Sequence, residues 1–268
     1  MTLPLPRHRT MTLMLDLHDD LCRSIYCFGT HEPDTTALLR RRFQDPRLQV
    51  IYDVGSNIGY YAITAATMLQ PGGEVEAFEP VPWIFERLKI NLLSNNLTNL
   101  RIHQIAVGQT TGTTTLFLPH GYGAWSTNAT LFPKLAKTFN TLFASPGTPI
   151  DALEVRTESL DSFIDREGLK PPDLVRIDAE GAELDVLRGM KFTLTKYAPD
   201  LVFEVLPDWL CELRSFIKEL GYETYRIGPN GWLQKNPLGW DPGSNRDWYA
   251  TKRPAQAYLL HSDKAGDS

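Results

Sequence analysis

The chain of 268 residues is poor in cysteine and has none of the spacings that would make cysteine structural. Cys22, Cys27 and Cys211 are an odd set without a C-x-x-C pair, which excludes a disulfide framework and a cysteine zinc site. Three unpaired thiols fit a reducing compartment, so we expect a cytoplasmic protein.

The sequence also has no net positive charge and no long apolar run. The formal net charge of −5 argues against a nucleic-acid partner, because binding to a phosphate backbone depends on a cationic surface. No segment is apolar enough to predict a membrane span. The length and the 42% hydrophobic content suit one α/β domain with additions, and they leave the oligomeric state open.

Short apolar strands alternate with helical patterns between residues 49 and 206. This alternation is typical of βαβ units and predicts a mostly parallel sheet with helices on both faces. We divide the chain into an N-terminal helical cap (residues 1–45), a main domain (46–252) and a flexible tail (253–268). Within the main domain, residues 119–155 lose the pattern and are interpreted as a substrate-side insertion or, equally, a variable connection. Residues 247–251 are expected to form an antiparallel edge strand.

A Gly-rich turn follows the first strongly apolar strand. It runs from Asp53 to Gly59, and Glu79 ends the next strand pattern. Glycine allows sharp turns and close approach of a ligand, while a carboxylate at the second strand end can accept ribose hydroxyls. The combination predicts a site for a nucleoside cofactor.

The glycine spacing separates two classes of cofactor. Dinucleotide sites favour G-x-G-x-x-G, with the pyrophosphate at a helix N-terminus, whereas Asn57 replaces the middle glycine here. S-adenosylmethionine carries no phosphate, so the replacement favours a methyl donor. An NAD-dependent oxidoreductase and a non-catalytic cofactor-binding interaction module remain alternatives.

Several motifs in a fixed order resemble those of one family. DVGSNIG at 53–59, AFEPVP at 77–82 and RIDAEGAELDVLRG at 176–189 closely resemble the FkbM family of S-adenosylmethionine-dependent methyltransferases. The resemblance covers about residues 50–206. It implies a class I methyltransferase (Rossmann-like) fold with a seven-stranded sheet, and methyl transfer to a hydroxyl of a sugar, glycan or other secondary metabolite. Arg176 is a departure, because the family commonly has lysine there.

The resemblance also implies which residues hold S-adenosylmethionine. The turn supplies the donor-binding backbone, the acid after the second strand binds the ribose, and an apolar pair brackets the adenine. The implied donor site consists of Asp53, Gly55, Ser56, Asn57, Gly59, Glu79, Pro80, Ile105, Ala106 and Asp178.

An alcohol is a poor nucleophile while it keeps its proton, so a nearby base should assist transfer. Asp178 is the first candidate because it ends a buried strand near the donor turn, and Glu180 and His120 are further catalytic candidates. Glu183 lies close to these acids, and three carboxylates could bind a divalent cation. The alternative is that Glu183 stabilises a helix start, and we predict no metal ligand.

Overall fold

The computed structural model describes residues 1–6, 8–119, 129–133, 136–138, 149–206, 210–235 and 246–253. The strands are β1 (Thr2–Leu5), β2 (Arg9–Thr12), β3 (Val50–Val54), β4 (Glu74–Phe78), β5 (Leu100–His103), β6 (Ala106–Val107), β7 (Gly112–Pro119), β8 (Ile150–Glu158), β9 (Leu174–Ile177), β10 (Asp200–Glu204), β11 (Glu223–Ile227), β12 (Leu233–Lys235) and β13 (Asp247–Thr251). The α-helices are α1 (Asp20–Phe28), α2 (Pro33–Arg42), α3 (Tyr60–Met68), α4 (Pro82–Ser94), α5 (Leu160–Glu167), α6 (Glu183–Gly189), α7 (Lys191–Lys196) and α8 (Leu210–Glu219). None of the helices in these ranges is long and apolar enough to cross a membrane.

The main sheet has the strand order β12-β11-β13-β10-β9-β3-β4-β5. The five strands from β10 to β5 in this order are parallel, which confirms the mostly parallel sheet. Eight strands rather than seven are found in the described part, because the short β12 pairs with β11 at the edge. Strand β13 is antiparallel as predicted, but it lies between β10 and β11 instead of at an edge.

The core lies on both faces of this sheet. Alternate residues of β3 point to opposite faces, so Ile51 joins the apolar cluster beneath α1 to α4 and Tyr52 joins the one beneath α5 to α8. Every residue of β3 is buried, as expected of a central parallel strand covered by helices on both sides. This burial fixes the end of β3, and with it the Gly-rich turn, firmly in the fold.

The N-terminal segment is not wholly helical, so the prediction for residues 1–45 is wrong in part. Strands β1 and β2 form an antiparallel hairpin before α1 and α2. Leu3, Leu5 and Met11 are buried on one side of it, while the residues between them are more exposed. That period of two is the signal of a half-buried strand.

Asn91 of α4 and Asn95, which caps the end of that helix, attach the hairpin to the main domain. The Asn95 side chain accepts the N–H of Thr12 and donates to its carbonyl oxygen, both at 2.7 Å. The Asn91 side chain accepts the N–H of Met14 at 2.7 Å and donates to the carbonyl oxygen of Ile58 at 2.9 Å. Asn91 thus joins the N-terminal segment to the end of the Gly-rich turn.

The predicted insertion at 119–155 is partly regular. Strand β8 begins at Ile150 and pairs with β7 along its whole length, from Gly112 opposite Thr157 to Pro119 opposite Ile150. The partner of β8 is distant in the sequence, so no local pattern within residues 119–155 indicates this pairing. Thr130 forms an isolated bridge with Phe117, which brings residues 129–131 back to β7. His120 and residues 254–268 of the predicted tail lie outside the described residues.

Candidate active site

An open cleft lies where β3, β4 and β9 end. This is the edge at which ligands of open α/β sheets gather. Most of the predicted site residues line it, namely Gly55, Asn57, Glu79, Pro80, Ile105, Ala106, Asp178 and Glu180. Sequence reasoning missed its apolar wall, formed by Val81, Leu116, Ala129 and Leu131. The alternation of Leu116 and Leu118 in β7 was the available signal for part of that wall.

Gly55 brings the turn against the end of β9. Its φ is +75°, and a Cβ atom at this position would lie 1.7 Å from the carbonyl oxygen of Asp178. Only glycine permits this approach, because any side chain would collide with backbone that cannot move away. The contact sets Asp178 directly beside the predicted donor turn.

Ser56 and Gly59 do not line the cleft, although they were predicted to contact the cofactor. The Ser56 hydroxyl donates to the carbonyl oxygen of Asp53 at 2.6 Å and accepts the N–H of Phe78 at 3.1 Å. At Gly59, with φ +90°, a Cβ atom would lie 2.5 Å from Cδ1 of Leu88. These two residues shape the turn and its packing on α4.

Every backbone N–H group of the turn from Gly55 to Gly59 donates a hydrogen bond within the chain. The side-chain oxygen of Asn57, for example, accepts the N–H of Ile58 at 2.7 Å. Asn57 itself is left-handed, with φ +51°. A pyrophosphate bound here would need free backbone N–H groups, so the turn disfavours a dinucleotide.

Glu79 is buried, with 5% of its surface exposed, at the end of β4. Its Oε2 accepts the N–H of Asn57 at 3.0 Å, and its Oε1 accepts that of Val81 at 2.9 Å. Burial raises the pKa of Glu79 to about 7, and the two N–H groups oppose that rise. The carboxylate is held firmly, and each oxygen keeps a further lone pair for a ligand hydroxyl.

Asp53 and Asp178 share one arginine. Arg176 donates from Nη1 to Asp53 Oδ1 at 3.1 Å and from Nη2 to Asp178 Oδ2 at 2.6 Å. The other oxygen of Asp53, Oδ2, is buried and has no hydrogen-bond partner among the described residues. Although Asp53 was predicted to contact the cofactor, it is 1% exposed and does not line the cleft. The carboxylate of Glu79, which does line the cleft, fits the ribose hydroxyls of S-adenosylmethionine.

Glu183 holds the loop after β9. Its Oε1 accepts the N–H groups of Ala179 and Gly181 at 2.9 and 3.2 Å, and burial raises its pKa to about 7. This matches the structural alternative, in which Glu183 stabilises the start of a helix. No group of three potential metal-binding side chains was found in the part of the chain that the structure describes.

Glu180 lines the cleft beside Asp178. Its backbone is left-handed, with φ +49°, and its carbonyl oxygen accepts the Thr130 hydroxyl at 2.7 Å. Burial, then the negative charges of Asp178 and Glu204, raise the pKa of Glu180 well above its ordinary value. Burial and these two charges thus disfavour the ionised form of the Glu180 carboxyl, which lines the cleft.

The chain is similar to named methyltransferases over part of its length. The 2-O-methyltransferase NoeI of Sinorhizobium fredii is 31% identical over 151 residues, which cover 55% of this chain and 59% of that protein. The hexuronic acid methyltransferase AglP of Haloferax volcanii is 29% identical over 160 residues, which cover 59% and 56%. The matches thus span less than two thirds of these relatives.

The fold has a solved counterpart. The crystal structure of Methyltransferase FkbM from Methylobacillus flagellatus KT matches with a TM-score of 0.51 at 18% identity, covering 85% of this chain and 50% of that one. The predicted class I methyltransferase fold is thereby confirmed. A family model described as the Methyltransferase FkbM domain matches residues 53–224, more than half of the chain. The chain belongs to the FkbM methyltransferase family.

Proposed function

We propose that the chain is an S-adenosylmethionine-dependent O-methyltransferase acting on a hydroxyl of a sugar, glycan or other secondary metabolite. One observation carries this proposal: Gly55 lets the donor turn touch the backbone of Asp178, so a donor-binding acid and a candidate base share one cleft. The name of the similar 2-O-methyltransferase NoeI supports an oxygen acceptor, and that of the hexuronic acid methyltransferase AglP supports a sugar-type acceptor.

The donor would be held by the turn and the strand ends beside it. Glu79 accepts the ribose hydroxyls, and Ile105 and Ala106 flank the adenine. When bound, S-adenosylmethionine supplies a methyl group on a positively charged sulfur. Most of the rate enhancement then comes from orientation, because a well-placed pair of reactants reacts far faster than a free pair.

The acceptor would enter beside Asp178 and Glu180. Asp178 accepts the hydroxyl proton, and its side chain is 28% exposed, so an acceptor can reach it. Glu180 lines the cleft beside Asp178 and is placed to hydrogen-bond the acceptor. Leu116 and Leu131 form an apolar wall that limits the entry of water.

The alternatives fit the site less well. An NAD-dependent oxidoreductase needs backbone N–H groups that the turn from Gly55 to Gly59 already uses. A non-catalytic module gives no reason for an accessible carboxylate at Asp178. We also propose a cytoplasmic location, supported by the free thiols of the cysteines. The absence of a nucleic-acid partner stays a prediction.

A transfer assay tests the proposal. The chain is incubated with methyl-labelled S-adenosylmethionine and a panel of sugars, glycans and polyketide-like alcohols, and the products are then treated with mild base. We expect label in a base-stable ether, and a loss of this label in the Asp178→Asn variant. Base-labile label, or no transfer by a chain that binds the donor, would contradict the proposal.

A further inference from the structure

Arg176 stands at the junction of the donor turn and the candidate base, although it does not line the cleft. It lies in β9 with 8% of its side chain exposed. One of its terminal nitrogens contacts Asp53 and the other contacts Asp178, at 3.1 and 2.6 Å. Nη1 also lies 3.4 Å from the carbonyl oxygen of Gly55. A single side chain thus ties together the strand end, the turn and the base.

The ring of Tyr61 packs against the guanidinium of Arg176. The central carbon of the guanidinium lies 4.2 Å from the centre of the Tyr61 ring, within the range of a cation–π contact. The Tyr61 hydroxyl in turn donates to Oε2 of Glu32 at 2.9 Å, so the ring cannot easily turn aside. Arg176 is therefore held both by its two carboxylates and by the ring below it.

Two contacts of Arg176 in this chain use properties that arginine has and lysine lacks. A guanidinium presents separate N–H groups in a rigid plane and can serve two carboxylates at once, and it stacks on an aromatic ring. A lysine ammonium is a compact charge on a flexible chain and cannot hold both partners in one geometry. Replacement by lysine would retain the charge and lose the orientation.

We propose that Arg176 is a positioning residue that orients the Asp178 carboxylate toward the acceptor. This inference rests on the proposed function. Arg176 holds Oδ2, and no other hydrogen bond to this carboxyl is found in the described ranges, so the second oxygen stays available for the acceptor hydroxyl. The contact with Asp53 prevents the guanidinium from following Asp178 when that side chain moves. Arg176 acts on methyl transfer only through Asp178.

A double-mutant cycle tests this dependence, because a residue that acts through another has no effect once the other is removed. The kcat for methyl transfer is measured for the wild type, Arg176→Lys, Asp178→Asn and the double variant. We expect kcat to fall about 30-fold in Arg176→Lys, since small displacements of a reacting group cost about 100-fold. The double variant should have the kcat of Asp178→Asn, within about threefold.

Arg42 offers a matched control. It is also a buried arginine shared by two aspartates, Asp45 and Asp200 at 2.9 and 2.6 Å, but it lies at the opposite end of the sheet, where β10 begins. Arg42→Lys should lower the melting temperature and leave kcat unchanged below that temperature. If Arg176→Lys does not fold, Arg176→Gln replaces it in the cycle.

The results separate this inference from the proposed function. Additive losses in the double variant, or a kcat of Arg176→Lys within about threefold of the wild type, would overturn the role of Arg176 alone. An unchanged kcat in Asp178→Asn would remove the base, and the inference with it. Absence of methyl transfer by the wild-type chain would overturn both.

Discussion

Replacing Glu79 by glutamine should weaken the binding of S-adenosylhomocysteine by about 100-fold. The carboxylate is buried, and a hydrogen bond to a charged group contributes about 1.5–3 kcal/mol. Because two ribose hydroxyls would bond to Glu79, the loss of binding free energy should exceed the contribution of one such bond. Glutamine also turns an NH₂ group toward the N–H of Asn57 or of Val81, which now donate to the carboxylate. A net loss of about 3 kcal/mol corresponds to about two orders of magnitude in affinity.

Isothermal titration calorimetry measures this change directly. Glu74→Gln is the matched control, because Glu74 lies at the other end of β4, where it pairs with Arg101 and Lys170 outside the cleft. Its affinity for S-adenosylhomocysteine should equal that of the wild type. If Glu79→Gln bound as tightly as Glu74→Gln, Glu79 would not be the ribose acid and the donor would lie elsewhere.

Three further predictions concern the base, the pH dependence and the N-terminal attachment. Asp178→Asn should lower kcat by about 100-fold while the affinity for S-adenosylhomocysteine changes less than about threefold; equal losses in both would make Asp178 a donor anchor. Burial raises the pKa of Glu79 to about 7, so the affinity for the donor should increase as pH rises through that value; an affinity that does not change with pH would refute this. The stability contributed by protonated Glu79 is fully present below its ordinary pKa of 4.5 and is lost between that pH and about 7. Asn91→Ala removes two hydrogen bonds of a fully buried side chain and should lower the urea-derived free energy of unfolding by about 2–3 kcal/mol; a change below about 0.5 kcal/mol would show that Asn91 does not join Met14 to Ile58.

The placement of Gly55 and Glu79 in one cleft could be predicted because its requirements are local. Gly55 and Glu79 occupy fixed places relative to two strand ends, and the structure sets both in one cleft. The individual roles of Ser56 and Gly59 could not be predicted. Whether a turn residue meets a ligand or its own scaffold depends on the neighbouring strand and helix, here Phe78 and Leu88.

The acceptor side depends on contacts between distant residues. The Thr130 hydroxyl donates to the carbonyl oxygen of Glu180, 50 positions away. Tyr61 of α3 contacts Arg176 of β9 and Glu32, which precedes α2. No periodicity or motif records such meetings. The hairpin of β1 and β2 is a different case, because the alternation of its buried and exposed residues is a local signal that indicates a strand.

The most direct test is a pair of calorimetric titrations of the wild-type chain, one with S-adenosylhomocysteine and one with NAD. The turn from Gly55 to Gly59 has no free N–H for a pyrophosphate, whereas the Glu79 carboxylate keeps acceptor capacity for a ribose. We predict that S-adenosylhomocysteine binds and that NAD gives no binding heat. Binding of NAD without binding of S-adenosylhomocysteine would contradict the assignment of this cleft to a methyl donor.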